Sequence, residues 1–171
     1  RDFEFAKKFS LPIVQVIRPL FTGSQVRQKP KETKFVKRKT IHGLVVRPKD
    51  NKVLILYWKK WGWKTLIIGG CEGGESPKSA AIREVKEETG LKVAYKGLIG
   101  EEIESFFFAD HKNEWRHRIS QPVLLEAVGL GEGKISKEEA GKHSILWVDP
   151  AEALKILTYK EDQLVVEQFM N

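Results

Sequence analysis

Regular alternation of apolar and polar positions begins at Thr40 and runs nearly to the end of the chain. Ile41–Arg47 and Lys52–Trp58 are β-branched, apolar runs separated by Pro48-Lys49-Asp50-Asn51, a spacing that predicts a hairpin. Trp63–Ile68, Val93–Gly100, Ile103–Ala109, Arg118–Val128 and Ile145–Val148 read as further strands. A helix is expected over Pro77–Thr89, with Ser76 as N-cap, Pro77 in the first position and Gly90 as the stop. Asp149 is placed to cap a second helix opening at Pro150 and running to about Leu157, and a third covers roughly Glu161–Phe169. Strands outnumber helices and alternate with them irregularly, so the expected class is α/β or α+β.

The region before Thr40 has a different texture. Arg1–Pro19 reads as a short helix followed by the extended run Leu11–Ile17, and Leu20–Lys39 is polar and basic, broken by Gly23 and Pro30, as a linker would be. The expected organisation is therefore residues 1–19, a linker over 20–39 and one domain over 40–171. With 171 residues, 41% hydrophobic and 31% charged, the chain suits a single soluble domain. No apolar run approaches the ~20 residues of a membrane helix, and Arg1–Lys8 lacks a signal-peptide pattern. The one cysteine, Cys71, cannot form an internal disulfide and reads as an inert small residue, so a reducing cytoplasm is the expected compartment. The chain starts at Arg1 and its one methionine is Met170, which suggests a piece cut from something longer.

Charge changes the picture only locally. The net charge is +7, of which residues 27–39 supply +6, seven Lys or Arg against Glu32. Arg27–Lys39 is then either a solvated linker or a contact for nucleic acid.

The chemistry concentrates in GGCEGGESPKSAAIREVKEETGL, residues 69–91. Glu84, Glu87 and Glu88 sit at i, i+3 and i+4, one face of the expected helix, where their repulsion costs only a few tenths of a kcal/mol per pair, about 0.2–0.5. A solvated face could tolerate that. However, hard divalent cations take carboxylate and carbonyl oxygens, and a glycine-rich loop leading into the helix supplies backbone groups beside them. Glu75 lies eight residues before Arg83 and can fold back to pair with it. Four histidines, His42, His111, His117 and His143, show no close metal spacing and read as structural or exposed. Among the aromatics, Trp61 lies at the expected turn between two strands and could stack on a base, whereas Phe106-Phe107-Phe108 reads as core and edge packing.

The same stretch resembles the box of the Nudix hydrolases, G-x5-E-x7-R-E-U-x-E-E-x-G-U with U aliphatic. Gly69, Glu75, Arg83, Glu84, Val85, Glu87, Glu88, Gly90 and Leu91 fill every fixed position, a chance match of order one in a million. The resemblance implies a mixed sheet sandwiched between helices. It further implies cleavage of a nucleoside diphosphate linked to another moiety, by water attack at phosphorus with Mg²⁺ or Mn²⁺. Carried over residue by residue, Glu84, Glu87 and Glu88 would be metal ligands, joined by a carbonyl of Gly69 or Gly70. Arg83 and Glu75 would form the pair that orients the box. A further glutamate before a late strand often serves as general base; Glu139 is the first candidate here, then Glu138, with Glu114 an outsider. One departure is the approach to the box, Leu66-Ile67-Ile68-Gly69, where the family usually has Leu-Pro-Gly-Gly.

Residues 1–19 are similar to the close of the leucyl-tRNA synthetase editing domain, through Arg1-Asp2-Phe3-Glu4-Phe5-Ala6, Leu11-Pro12-Ile13 and Val16-Ile17. That similarity implies a Nudix domain inserted in a synthetase, with Asp2 as the family's amino-group-recognising acid and tRNA as a partner for Arg27–Lys39. The rival to catalysis is a non-catalytic module of the same fold that holds tRNA or a nucleotide.

Overall fold

The computed structural model describes residues 20–22, 34–109, 112–130, 135 and 141–171. Among the described residues nine strands form one sheet: β1 (Leu20–Thr22), β2 (Val36–Arg47), β3 (Lys52–Trp58), β4 (Trp63–Thr65), β5 (Ile67–Gly70), β6 (Leu91–Leu98), β7 (Ile103–Ala109), β8 (Glu114–Leu130) and β9 (His143–Val148). Three helices are described: α1 (Pro77–Thr89), α2 (Pro150–Ile156) and α3 (Lys160–Met170). The fold is mixed α+β, as expected.

Two long strands organise the sheet. β2 and β8 run parallel from Val36↔Arg116 to Val46↔Glu126, an unusually long register. Along its other edge β8 pairs first with β7 and then with β6, while β2 pairs with β5 over Thr40–Gly43 and with β3 at Val46–Arg47. The hairpin between β2 and β3 turns where expected, with Asn51 in the left-handed region at φ 56 and Arg47 gripping Asp50 through two hydrogen bonds.

Side-chain alternation gives each sheet face its own core. Ile41, Val45, Leu54, Leu56, Ile67, Val123 and Leu125 bury against Ala80, Ala81 and Val85 of α1. On the other face Leu44, Val53, Ile55, Leu66 and Ile103 pack on Ala153, Val165 and Val166 of α2 and α3. The sheet is thus sandwiched between helices. Among the described residues no helix is long and apolar enough to cross a membrane.

Several boundaries differ from the sequence reading. Trp63–Ile68 is two strands, because the chain crosses at Leu66 from pairing with β3 to pairing with β2, extending the second strand to Gly70. The linker expected over 20–39 already contains β1, which pairs in parallel with β7, and the first four residues of β2. Asp149 occupies the N-cap of α2, but its side chain makes no capping bond. β6, β8 and β9 begin two to four residues earlier than expected. Residues 1–19, residues 27–33 of the basic run, Glu138, Glu139 and His111 lie outside the described residues.

Candidate active site

The box folds as β5, a loop and α1. Ser76 accepts from the Ser79 amide at 3.1 Å and Pro77 fills the first turn, so the helix starts where local chemistry dictates. Gly90, at φ 68, closes it by donating to the Lys86 carbonyl.

Gly69 pairs with Ile41 on β2 and lies beneath Glu84. A Cβ there would stand 2.0 Å from Glu84 Cδ, so only glycine lets the carboxylate come down onto the strand end. Glu84 is consequently half-buried. Burial pushes its carboxyl above the ordinary range; Arg83 opposes this shift and Glu87 adds to it.

Arg83 ties the parts together. Its Nε and Nη2 donate to the two oxygens of Glu75 at 3.2 and 2.9 Å, a bidentate fork that holds Glu75 below its usual range. Nη2 also donates to the Gly70 carbonyl at 2.8 Å, and Nη1 to Glu84 at 2.9 Å and Glu87 at 3.2 Å. The expected Glu75–Arg83 pair is present in this geometry; the reach to Gly70, Glu84 and Glu87 was not visible in the spacing. Cys71 follows, its amide donating to Lys39 O and its thiol pushed up by burial.

The helix brings Glu84, Glu87 and Glu88 to one side, with one oxygen of Glu88 buried. Their oxygens have the chemistry a hard divalent cation takes, and the missing side chain at Gly69 admits Glu84. They are not gathered around one point: among the described residues no three His, Cys, Asp or Glu side chains converge as metal ligands, and Arg83 Nη1 holds Glu84 and Glu87. The donor set is that of a hard-cation site in its chemistry, with Glu84 and Glu87 engaged by the guanidinium in this structure. The Gly70 carbonyl spends one lone pair on Arg83, and the Gly69 carbonyl lies in the ladder with Ile41 of β2, so each candidate carbonyl keeps one lone pair.

At the far end of α1, His143 donates from Nε2 to the Glu88 carbonyl at 2.8 Å. Its ring rests against Trp58 at 4.9 Å, whose indole N–H is held by Thr65. Sequence reading gave His143 no role; only the β3–β9 pairing, Trp58↔His143, puts it beside the helix. Trp61 is 51% exposed, stacked on Trp63 at 5.0 Å, and adjoins this end through Trp58. Glu114 starts β8 in an ion pair with Arg116 at 2.8 Å.

A model of the NUDIX domain matches residues 36–169. Over 95 residues the chain is 35% identical to an ADP-ribose pyrophosphatase of Methanocaldococcus jannaschii, covering 53% of each protein. Over 103 residues it is 32% identical to an uncharacterised Nudix hydrolase of Bacillus subtilis, covering 58% of this chain and 60% of that one. The chain thus spans about half to three-fifths of the length of these relatives. A solved Nudix hydrolase of Nitrosomonas europaea shares the fold at a TM-score of 0.56 and 18% identity, covering 79% of this chain and 89% of that one. The box geometry and the matched family model agree, and the chain belongs to the Nudix family.

Proposed function

We propose that the chain hydrolyses a nucleoside diphosphate linked to another moiety, with a divalent ion at the box. The observation that carries this reading is the complete box folded around Arg83, with Glu84 seated on Gly69. Glu84, Glu87 and Glu88, with the carbonyl of Gly69 or Gly70, would hold Mg²⁺ or Mn²⁺. When bound, the ion would offset phosphate charge and lower the pKa of the attacking water. Water adds to one phosphorus, the anhydride P–O bond breaks, and the water's proton passes to a carboxylate base. Glu139 is our candidate for that base. Next in the described chain, His143 lies against the Glu88 end of α1, and Lys59 N donates to Lys142 O at 3.1 Å there. Arg83 and Glu75 keep the loop against the helix. Trp61 is available to stack on the group joined to the diphosphate.

Placement as an insert in a leucyl-tRNA synthetase, with tRNA on Arg27–Lys39, rests on the motifs of residues 1–19 and the basic run alone. The matched family and the relatives support the hydrolase part of the reading and add nothing to the synthetase part.

The test is a screen of ADP-ribose, nucleotide sugars and dinucleoside polyphosphates with Mg²⁺ and Mn²⁺, reading release of a nucleotide product. Turnover in the parent and its loss in Glu87→Gln is the expected result. Tight binding without turnover of any diphosphate would transfer the assignment to a non-catalytic binding module.

A further inference from the structure

The sheet face under α1 continues past the box. Residues two apart share a face, so the side of β2 that carries Ile41 beneath α1 also carries Lys39. The register extends that face to Ile119 and His117 on β8, and to Glu104 and Phe106 on β7. Phe107, by contrast, lies under Arg118 on the opposite face.

His117 and Phe106 stand as parallel plates, 4.3 Å between centroids and 9° apart. Phe35 meets Phe106 edge-on at 5.0 Å, flanking that ring. His117 faces β2 on its other side, where its cross-strand partner Lys37 is exposed. Glu104 fixes the imidazole, with Oε1 2.5 Å from Nε2, and is itself only partly buried. Four strand residues separate the Lys37–His117 row from the Ile41 row that bears Gly69, about 13 Å at the strand rise. The ring face of His117 turned away from Phe106, on a side chain 13% exposed, is flanked by lysines and in line with the carboxylates at that reach, and it suits a nucleoside whose diphosphate lies at the box.

We propose that His117 and Phe106 form the seat of the substrate's nucleobase, with Glu104 as the positioning residue that holds His117 upright. This rests on the box being the diphosphate site. The substrate class is thereby narrowed to diphosphates with the base on the β7–β8 side of α1.

The experiment measures binding of two probes, ADP and inorganic pyrophosphate, to the 171-residue chain with Mg²⁺ present. Parent protein is expected to bind ADP more tightly than pyrophosphate. His117→Ala and Phe106→Leu should each weaken ADP about tenfold, as loss of a base stack does, and leave pyrophosphate within about twofold. Glu104→Gln should weaken ADP less, without affecting pyrophosphate. Melting curves identify any variant that fails to fold, and the remaining variants then decide. Equal losses for both probes, or ADP no tighter than pyrophosphate in the parent, overturn the proposal. A diphosphate that is cleaved without base-dependent binding sinks this seat alone. Base-dependent binding with no cleavage leaves the seat standing and sinks the hydrolase reading.

Discussion

Gly69 is the residue at which one methyl group does most damage. With 2.0 Å between its virtual Cβ and Glu84 Cδ, Gly69→Ala must expel the carboxylate or shift the helix. We expect a stability loss of about 1–3 kcal/mol and weaker Mn²⁺ binding by calorimetry. Gly73→Ala is the control, because nothing lies within 4 Å of its added Cβ; equal Mn²⁺ affinity in the two variants would remove Glu84 from the ligand set. Arg83→Lys tests the hub next to it. A lysine ammonium cannot fork onto both Glu75 oxygens while reaching Gly70 O and Glu84. The expected cost is about 1–2 kcal/mol in denaturant unfolding; a variant as stable as the parent would mean the hub contributes little to the fold. At this scale the sequence disclosed the Glu75–Arg83 pair through its spacing. It could not disclose why Gly69 is glycine, since the reason is a carboxylate fifteen positions away that folds down onto it.

Elements follow the same division between local and distant causes. The ends of α1 were legible because Ser76, Pro77 and Gly90 act on their immediate neighbours. The break at Leu66 was not, because it reflects which strand each half pairs with, and an apolar run reads the same on either side. The early starts of β8 and β9 have that cause too: pairing partners β7 and β3 extend them beyond their own patterns. His143 belongs to this scale, as a side-chain cap on the last turn of α1 delivered by β9. His143→Phe keeps a ring against Trp58 but leaves the Glu88 carbonyl without that donor. A destabilisation of about 1 kcal/mol is expected, with a fall in turnover if Glu88 serves the ion. Unchanged unfolding midpoints would reduce the contact to coincidence.

For the whole molecule the question is how the second core tolerates charge. Asp162 of α3 and His42 of β2 are completely buried, with Nε2 3.4 Å from Oδ1, and His42 Nδ1 lies 2.5 Å from Ser120 Oγ. Neither Asp162 oxygen has a well-formed hydrogen bond; the Leu66 amide offers only a weak one. Burial pushes the Asp162 carboxyl up to about 8, with Arg118 of β8 opposing and Glu161 beside it reinforcing the shift. Burial also drives His42 well below its ordinary range, aided by Arg118, which is itself engaged with Glu161 at 3.2 Å. The pair is therefore neutral in the folded protein at pH 7. Folded Asp162 keeps a proton that the unfolded chain releases near pH 4, so its contribution is full below that pH and is lost as pH rises to about 8. His42 runs the other way: its contribution is full above about 6.5 and declines on acidification. Below about pH 6.5 the two slopes have opposite signs, and the Asp162 slope alone remains from there to 8. Unfolding stability should fall by about 2 kcal/mol between pH 6.5 and 8, a range where most proteins change little. Asp162→Asn keeps the shape without the titration, so its unfolding midpoint should be flat across that window. A slope that persists undiminished in the Asn variant would assign the pH dependence to another group and leave the buried pair electrostatically silent.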